Sequence, residues 1–444
     1  MSGFRGLSCA VRAEGRTLDR RGRWGRIAQG FGALHRLFRR TSTASSQAPI
    51  QSGLAWIASW TASPQPVWPA TFPVAIGFPR QLWNQTVRQT ARISIGGERL
   101  RIVLSNAYGN CPLVIGEARV GLALDPASTA EASDRTVTFD GLGRTVIPPG
   151  ALVVSDPIDG RVAALASVSV SLFLPEITPT TTMHFDARQT AVIAAGNVAS
   201  RAALTADATL MSRLFLSAIW VEAPAEARAL VVLADSIADG DGSTPDANRR
   251  WPDRLAERLV AAGGAPVAVL NQGISGARAL SDGMGVNALA RFDRDVLAQP
   301  GVDTLILMIG LNDIGWPGGV LAPGEALPSA RQLIGAWRQL IGRARAHRLR
   351  VIAATLTPFE GALPDGPFDY FHDAGKEALR GEVNAWLRAT DEIDALIDFD
   401  AVVRDPDRPS RLRPEFDSGD HLHLQDRGYA AMGDHVDLAL LAHS

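Results

Sequence analysis

Two short segments of this 444-residue chain hold the residue types that nucleophilic chemistry requires. Ala234-Asp235-Ser236-Ile237 follows an apolar run and precedes a helical pattern, a position that would present the Ser236 hydroxyl at a sheet edge. Taken alone, Asp235-Ser236 also suits a turn or helix cap, because both side chains hydrogen-bond nearby backbone. Asp420-His421-Leu422-His423 places an acid three residues ahead of a histidine, so one loop would hold both groups. A serine nucleophile needs a neutral imidazole to take its proton, and that imidazole needs a carboxylate to fix its tautomer and stabilise the imidazolium. Ser236, His423 and Asp420 are therefore the candidate nucleophile, base and orienting acid.

Two glycine-rich turns offer an oxyanion hole. In Gly273-Ile274-Ser275-Gly276, the lack of a Cβ at Gly276 would let its N–H approach a developing alkoxide, and in Gly310-Leu311-Asn312-Asp313 the Asn312 amide would add a second donor. Turns of this kind also serve as phosphate cradles. Asp417, Asp420, His421 and His423 have a competing reading as a solvated acidic loop or a weak metal site. A metal hydrolase needs further ligands, and no H-E-x-x-H or comparable cluster occurs. Asp235, Asp239, Asp241 and Ser243 hint at a calcium loop but lack the EF-hand glutamate at its offset, so they are expected to cap and hydrogen-bond locally. No metal and no cofactor is expected.

The elements that must position these residues lie after Pro224. Short apolar runs at Ala229 to Leu233, Val267 to Asn271, Thr304 to Ile309, Val351 to Thr355 and Ala395 to Phe399 read as strands. Amphipathic stretches at Trp251 to Ala262, Ala330 to His347, Lys376 to Arg388 and Gln425 to Ala442 read as helices. Strands alternating with helices imply right-handed crossovers and a parallel sheet covered on both faces, with reactive residues in loops at the carboxyl ends of the strands. The four segments above fall at such places.

Their order and placement resemble the four signature blocks of the SGNH, or GDSL-type, hydrolases, a resemblance covering residues 228 to 444. It implies a three-layer α/β/α catalytic domain with a flavodoxin-like parallel sheet. It also implies a serine esterase mechanism with Ser236, Gly276, Asn312 and His423 as the named residues, and Asp420 orienting His423. The G-x-S-x-G elbow of the α/β-hydrolases is absent. Asp239-Gly240, Asn248 to Asp253, Thr355 to Gly361 and Asp426 to Gly428 are further points of similarity, shared with esterases that carry an N-terminal β-rich domain. Substrates implied are an O-acetylated glycan, a lipid or a simple carboxylic ester, with the β-rich domain favouring the first by analogy. An extracellular or periplasmic location is also implied by the resemblance.

The chain departs from that family at Ala234, where glycine is usual, and at Leu424, where proline is frequent. If residue 234 needed a positive φ, alanine would cost about 1–2 kcal/mol and displace the nucleophile; the expectation here is that it does not. A catalytically impaired glycan-binding protein, with Ala234 as its lesion, and a metal-dependent phosphoesterase are the alternative functions.

Residues 53 to 225 alternate with period two, are rich in Thr and Val, and break at Gly or Pro, which predicts an antiparallel β-sandwich domain ahead of the catalytic domain at 226 to 444. Gln89 to Ile95, Gly96-Gly97 and Arg99 to Leu104 predict a tight hairpin. Thr136 to Phe139, Val168 to Leu174 and Leu214 to Val221 predict further strands. Trp60, Trp68, Trp83, His184 and Phe185 are either a ligand-stacking face or, as is commoner among strands, packing.

Residues 1 to 52 carry ten arginines against Glu14 and Asp19 and read as an unstructured basic leader or a start placed too far upstream; no apolar core of a secretory signal follows. A formal net charge of −2 gives no basic surface for nucleic acid or an anionic membrane. No run approaches the roughly 18 apolar residues of a membrane span. Cys9 and Cys111 alone make no disulfide framework. The expected partner is a small-molecule or glycan ester.

Overall fold

The computed structural model describes residues 53–441, so the leader at 1 to 52 lies outside the described residues. Arg228–Ala234 is a run of apolar side chains buried from Ala229 onward, which suits a strand covered on both faces. It sits inside a five-stranded sheet in the order Val267–Gly273, Arg228–Ala234, Val302–Met308, Arg350–Ala354, Ala395–Ile397. All four neighbouring pairs are parallel. In chain order this is 2-1-3-4-5, the flavodoxin-like arrangement, and it puts its switch point between the first and third strands of the set.

Helices begin where the backbone donors are met. Trp251–Ala262 opens on Pro252 with the Asp253 carboxylate accepting from the Arg250 N–H at 3.2 Å. Ala330–Ala346 starts with a Ser329/Gln332 capping box, and Ala374–Ala389 with Asp373 accepting from the Lys376 N–H. The last helix is shorter than expected. It ends at His435, and the chain finishes in a short 3-10 turn at Leu438–Leu441.

The β-rich half is built from two larger antiparallel sheets. One joins Leu54–Thr61, Leu216–Pro224, Gly97–Ser105 and Leu152–Val154; the other runs from Ala208–Leu210 through Ala191–Ala195, Gln85–Arg92, Ser167–Leu174 and Glu117–Leu122 to Arg135–Val137. The expected hairpin around Gly96-Gly97 does not form, because Gln85–Arg92 and Gly97–Ser105 belong to different sheets. Neither glycine has a positive φ. They are needed for close approach instead: a Cβ on Gly96 would lie 2.4 Å from the Val162 carbonyl oxygen, and one on Gly97 2.6 Å from that of Glu222. The chain thus uses Gly96-Gly97 to cross from one sheet to the other. Leu214 to Val221 is likewise split, at Phe215, whose φ is 63°.

One hydrophobic core runs from Ile57, Ile93 and Ile219 into Leu230, Val269 and Leu305. Polar contacts stitch the same boundary. The Val269 N–H donates to Ser94 Oγ, and the Thr61 hydroxyl to the Asn271 carbonyl. Trp60, Trp68 and His184 are buried, with Trp68 packed on Phe72 and Phe185, and among the five aromatic candidates only Trp83 is largely exposed. They pack the structure and do not form a stacking face. Among the described residues no helix is long and apolar enough to cross a membrane.

Candidate active site

Ser236 is the first residue of a one-turn helix, Ser236–Asp239, directly beyond the strand Arg228–Ala234. Asp235 caps that helix by accepting from the Ile237 N–H at 3.1 Å. The backbone ahead of it is clamped by Arg291. This fully buried guanidinium donates to the Ala234 carbonyl at 3.0 Å and the Gln272 carbonyl at 2.8 Å, joining the ends of two adjacent strands. Asp295 balances its charge at 2.8 Å. Ala234 is not among the residues with positive φ, so its methyl group imposes no left-handed strain on the nucleophile turn.

His423 reaches Ser236 across 187 positions of sequence, with Nε2 2.8 Å from the serine Oγ. Its Nδ1 lies 2.6 Å from Asp420 Oδ2. The other oxygen of Asp420 accepts the N–H groups of Leu422 and His423 and the Ser418 hydroxyl, so this carboxylate is fixed by its own loop. Buried Leu422 and Leu424 anchor that loop on either side of the histidine. His421 points elsewhere, to a hydrogen bond with Asp417, and its backbone is left-handed at φ 62°.

Gly276 has φ +73°, and a Cβ there would meet Met284 Sδ at 2.5 Å and Trp316 at 2.8 Å; glycine is required on both counts. Asn312 donates through Nδ2 to the Ala277 carbonyl at 3.0 Å, while its Oδ1 accepts from the Trp316 indole at 3.2 Å. The indole contact fixes the orientation of the amide and leaves one Nδ2 proton for a ligand. Asp313 holds the same loop by accepting from the Ala279 and Leu280 N–H groups at 2.6 and 2.8 Å. Among the described residues the N–H groups of Ser236 and Gly276 are given to no protein acceptor. Of the five residues singled out in the sequence, Ser236 and Asn312 thus lie in short helices and Gly276, Asp420 and His423 in loops, and the hydroxyl, imidazole and carboxylate are in contact in a form suited to acyl transfer.

Residues 235–431 match the model of the GDSL-like Lipase/Acylhydrolase family. That stretch, and not the whole chain, is a GDSL-like lipase/acylhydrolase domain. No curated protein matches the chain. Among solved structures, the chain is similar to a carbohydrate acetylesterase family member from Sinorhizobium meliloti, at 18% identity over 48% of this chain and 99% of that one, with a TM-score of 0.37. It is also similar to a lipase/acylhydrolase from Enterococcus faecalis, at 21% identity over 47% and 92%, TM-score 0.34. A GDSL-like lipase from Bacteroides thetaiotaomicron matches at 17% identity over 48% and 88%, TM-score 0.35.

Two residues near the GDSL domain's serine, Asp239 and Asp241, take roles that local spacing does not disclose. Asp239, expected to act as a local cap, accepts from the Ser275 N–H at 2.9 Å and its hydroxyl at 3.1 Å, and pairs with His184 of the β-rich half at 2.9 Å. Asp241 lies 3.8 Å from His423 Nε2. Ser243 keeps a local role, its hydroxyl donating to the Gly240 carbonyl. Among the described residues no group of three or more His, Cys, Asp or Glu is placed to hold a metal ion.

The electrostatics shift the base. Burial alone would lower the His423 value, but the Asp241 charge, the Asp420 hydrogen bond and charge, and Asp235 outweigh it and raise it to about 9. Burial would raise Asp420, yet its bonds to His423 hold it well below the usual carboxylate range. Asp235 is pushed up to about 7 by burial. His423 therefore lies above the value of about 6.5 of a free histidine.

Two outcomes follow from this geometry. An NMR titration of the His423 ring is expected to show a midpoint near 9, and Asp241→Asn to move it down; a midpoint below 7 in the parent would contradict the charge arrangement. Because the folded value lies above that of a free histidine, its stabilising effect is complete below about 6.5 and is lost as pH rises through about 9. Ala234→Gly is expected to leave kcat on a test ester unchanged and to cost about 0.5–1 kcal/mol of stability, read by denaturant unfolding. A tenfold rise in kcat would mean that the methyl group does misplace the serine.

Proposed function

We propose that the chain is a serine esterase that cleaves carboxylic esters through an acyl-enzyme on Ser236. The observation that carries this is the continuous contact from Ser236 Oγ to His423 Nε2 to Asp420. Neutral His423 takes the serine proton as Oγ attacks the ester carbonyl. The resulting alkoxide is held by the Ser236 and Gly276 N–H groups and the free Asn312 Nδ2 proton. Collapse of that intermediate expels the alcohol, which receives its proton from the imidazolium. Water then attacks the acyl-enzyme with His423 again as base, and release of the acid restores the serine. Asp420 keeps the proton on Nδ1 throughout, which leaves Nε2 free to accept from the serine.

An open cleft lined by Ile76, Phe185, Leu210, Met211 and Asp241 adjoins this centre, since Asp241 also faces His423. It supports a substrate whose acyl or alkoxy group is partly apolar, and the β-rich half supplies most of its wall. The charge of Asp241 beside the base disfavours an anionic group close to the scissile bond.

Hydrolysis of p-nitrophenyl acetate by purified variants tests the mechanism. Ser236→Ala is expected to lose several orders of magnitude in kcat with the fold intact. Asn312→Ala, which removes one oxyanion donor, is expected to lose about 10²–10³-fold. Near-parental turnover by Ser236→Ala would refute the assignment, and loss of the parent's activity with chelator would favour a metal-dependent reaction.

A further inference from the structure

We propose that His184, which the β-rich half supplies, is a positioning residue for the oxyanion hole: held as an imidazolium, it fixes Asp239, and Asp239 fixes the loop that carries Gly276. This rests on the reading of Ser236 as nucleophile and extends the site beyond the GDSL domain itself.

With Asp239 ionised, the hydrogen-bond partners require the charged ring. His184 Nδ1 lies 3.1 Å from the Ser63 carbonyl oxygen, and Nε2 lies 2.9 Å from Asp239 Oδ1. A carbonyl only accepts, so Nδ1 bears a proton. A neutral ring would then turn a bare lone pair at Nε2 toward a carboxylate, whereas the imidazolium donates to both. On the far side, Asp239 Oδ2 accepts the N–H and the hydroxyl of Ser275, the residue immediately before Gly276. Asp239 is also the last residue of the helix that begins at Ser236. One carboxylate therefore joins the nucleophile helix, the oxyanion loop and the β-rich half. His184, Asp239, Ser275 and Ser236 are all buried, so water does not replace a missing partner cheaply.

Without His184 the buried Asp239 charge has lost its cation. It would then take up a proton or turn toward other donors, and either change weakens its hold on the Ser275 N–H. The consequence falls on Gly276. A donor that stabilises the alkoxide contributes to kcat more than to substrate binding, so loosening it leaves KM nearly unchanged.

The charged groups around the ring are Asp239 on the nucleophile helix, Arg213 on the adjoining strand, and Arg250 ahead of the helix Trp251–Ala262, while Asp186 faces both Asp239 and Asp241. Burial works against the imidazolium, and Arg213 repels it. The charge and hydrogen bond of Asp239, with the Ser63 carbonyl, outweigh both and raise the value above that of a free histidine. The anchor is consequently complete below the free-histidine value of about 6.5 and is lost as pH rises through the raised one.

The full chain, His184→Gln, Asp239→Asn and the double variant are assayed on p-nitrophenyl acetate, with kcat expressed per site titrated by a p-nitrophenyl phosphonate. That normalisation removes any unfolded fraction. Each single variant is expected to lose about ten- to hundredfold in kcat with KM within about twofold, and the double variant no more than the worse single, because the two act as one unit. The alkaline fall of kcat in the parent is expected to disappear in His184→Gln. Unchanged kcat per titrated site in both singles, or losses that multiply in the double variant, would overturn the proposal. A parent that the phosphonate does not titrate would instead sink the reading of Ser236, and this proposal with it.

Discussion

The candidate catalytic edge depends on one buried arginine. Arg291 donates to the carbonyls of Ala234 and Gln272, the two positions where adjacent strands give way to the nucleophile turn and the oxyanion loop. Its partner Asp295 accepts from Ser63 of the β-rich half as well, at 2.5 Å, and Arg294 closes the other side of the carboxylate. A guanidinium with no exposed surface needs its charge paired, here by Asp295, and its two Nη groups meet acceptors although Nε has none. Meeting them sets the spacing of the two strand ends. The distance between Ser236 and Gly276 is thereby tied to the core of the sheet instead of to the loops alone, and Asp239 repeats the tie one turn farther on.

A second constraint is an excess of carboxylates around the base. Asp235, Asp239, Asp241 and Asp420 all lie near His423 or the serine helix, and Asp186 is pushed up to about 7 by burial, Asp241 and Asp239. The histidine stores a proton as a result, and the site is electrostatically biased toward imidazolium, the state that the proposed acyl transfer would form. The cost is a base that is mostly protonated in the free protein at neutral pH. Protonation of Asp235 and Asp186, both near about 7, lightens that load as pH falls.

Much of this was readable from residues alone where the determinants are local. The five parallel strands showed as apolar runs because both of their faces are covered, and Trp251–Ala262 showed by its period and its Pro252 start. The Asp420 to His423 spacing was informative because one loop does hold both groups. Long-range contacts left no such trace. Gly96-Gly97 carries the signature of a primed turn, yet here the absence of a Cβ serves backbone approach between sheets. Asp239 looks like any acid at a helix end, and its partner His184 is 55 residues away in a different sheet system. Asp241 faces His423 across 182 positions of sequence, so the raised base was only weakly signalled. The Asp-Gly pairs around residues 239 to 242 were the available hint, since acids beside a nucleophile that are not consumed in capping are free to face the site.

The central claim is that Ser236 is the residue that becomes acylated. Incubating the full chain with a p-nitrophenyl phosphonate at the pH of maximal activity, followed by peptide mass mapping, reads this directly. The account predicts one adduct per chain, located on Ser236, formed more slowly as pH falls and His423 becomes protonated. An adduct on any other residue, or none at all in a preparation that hydrolyses esters, would contradict it.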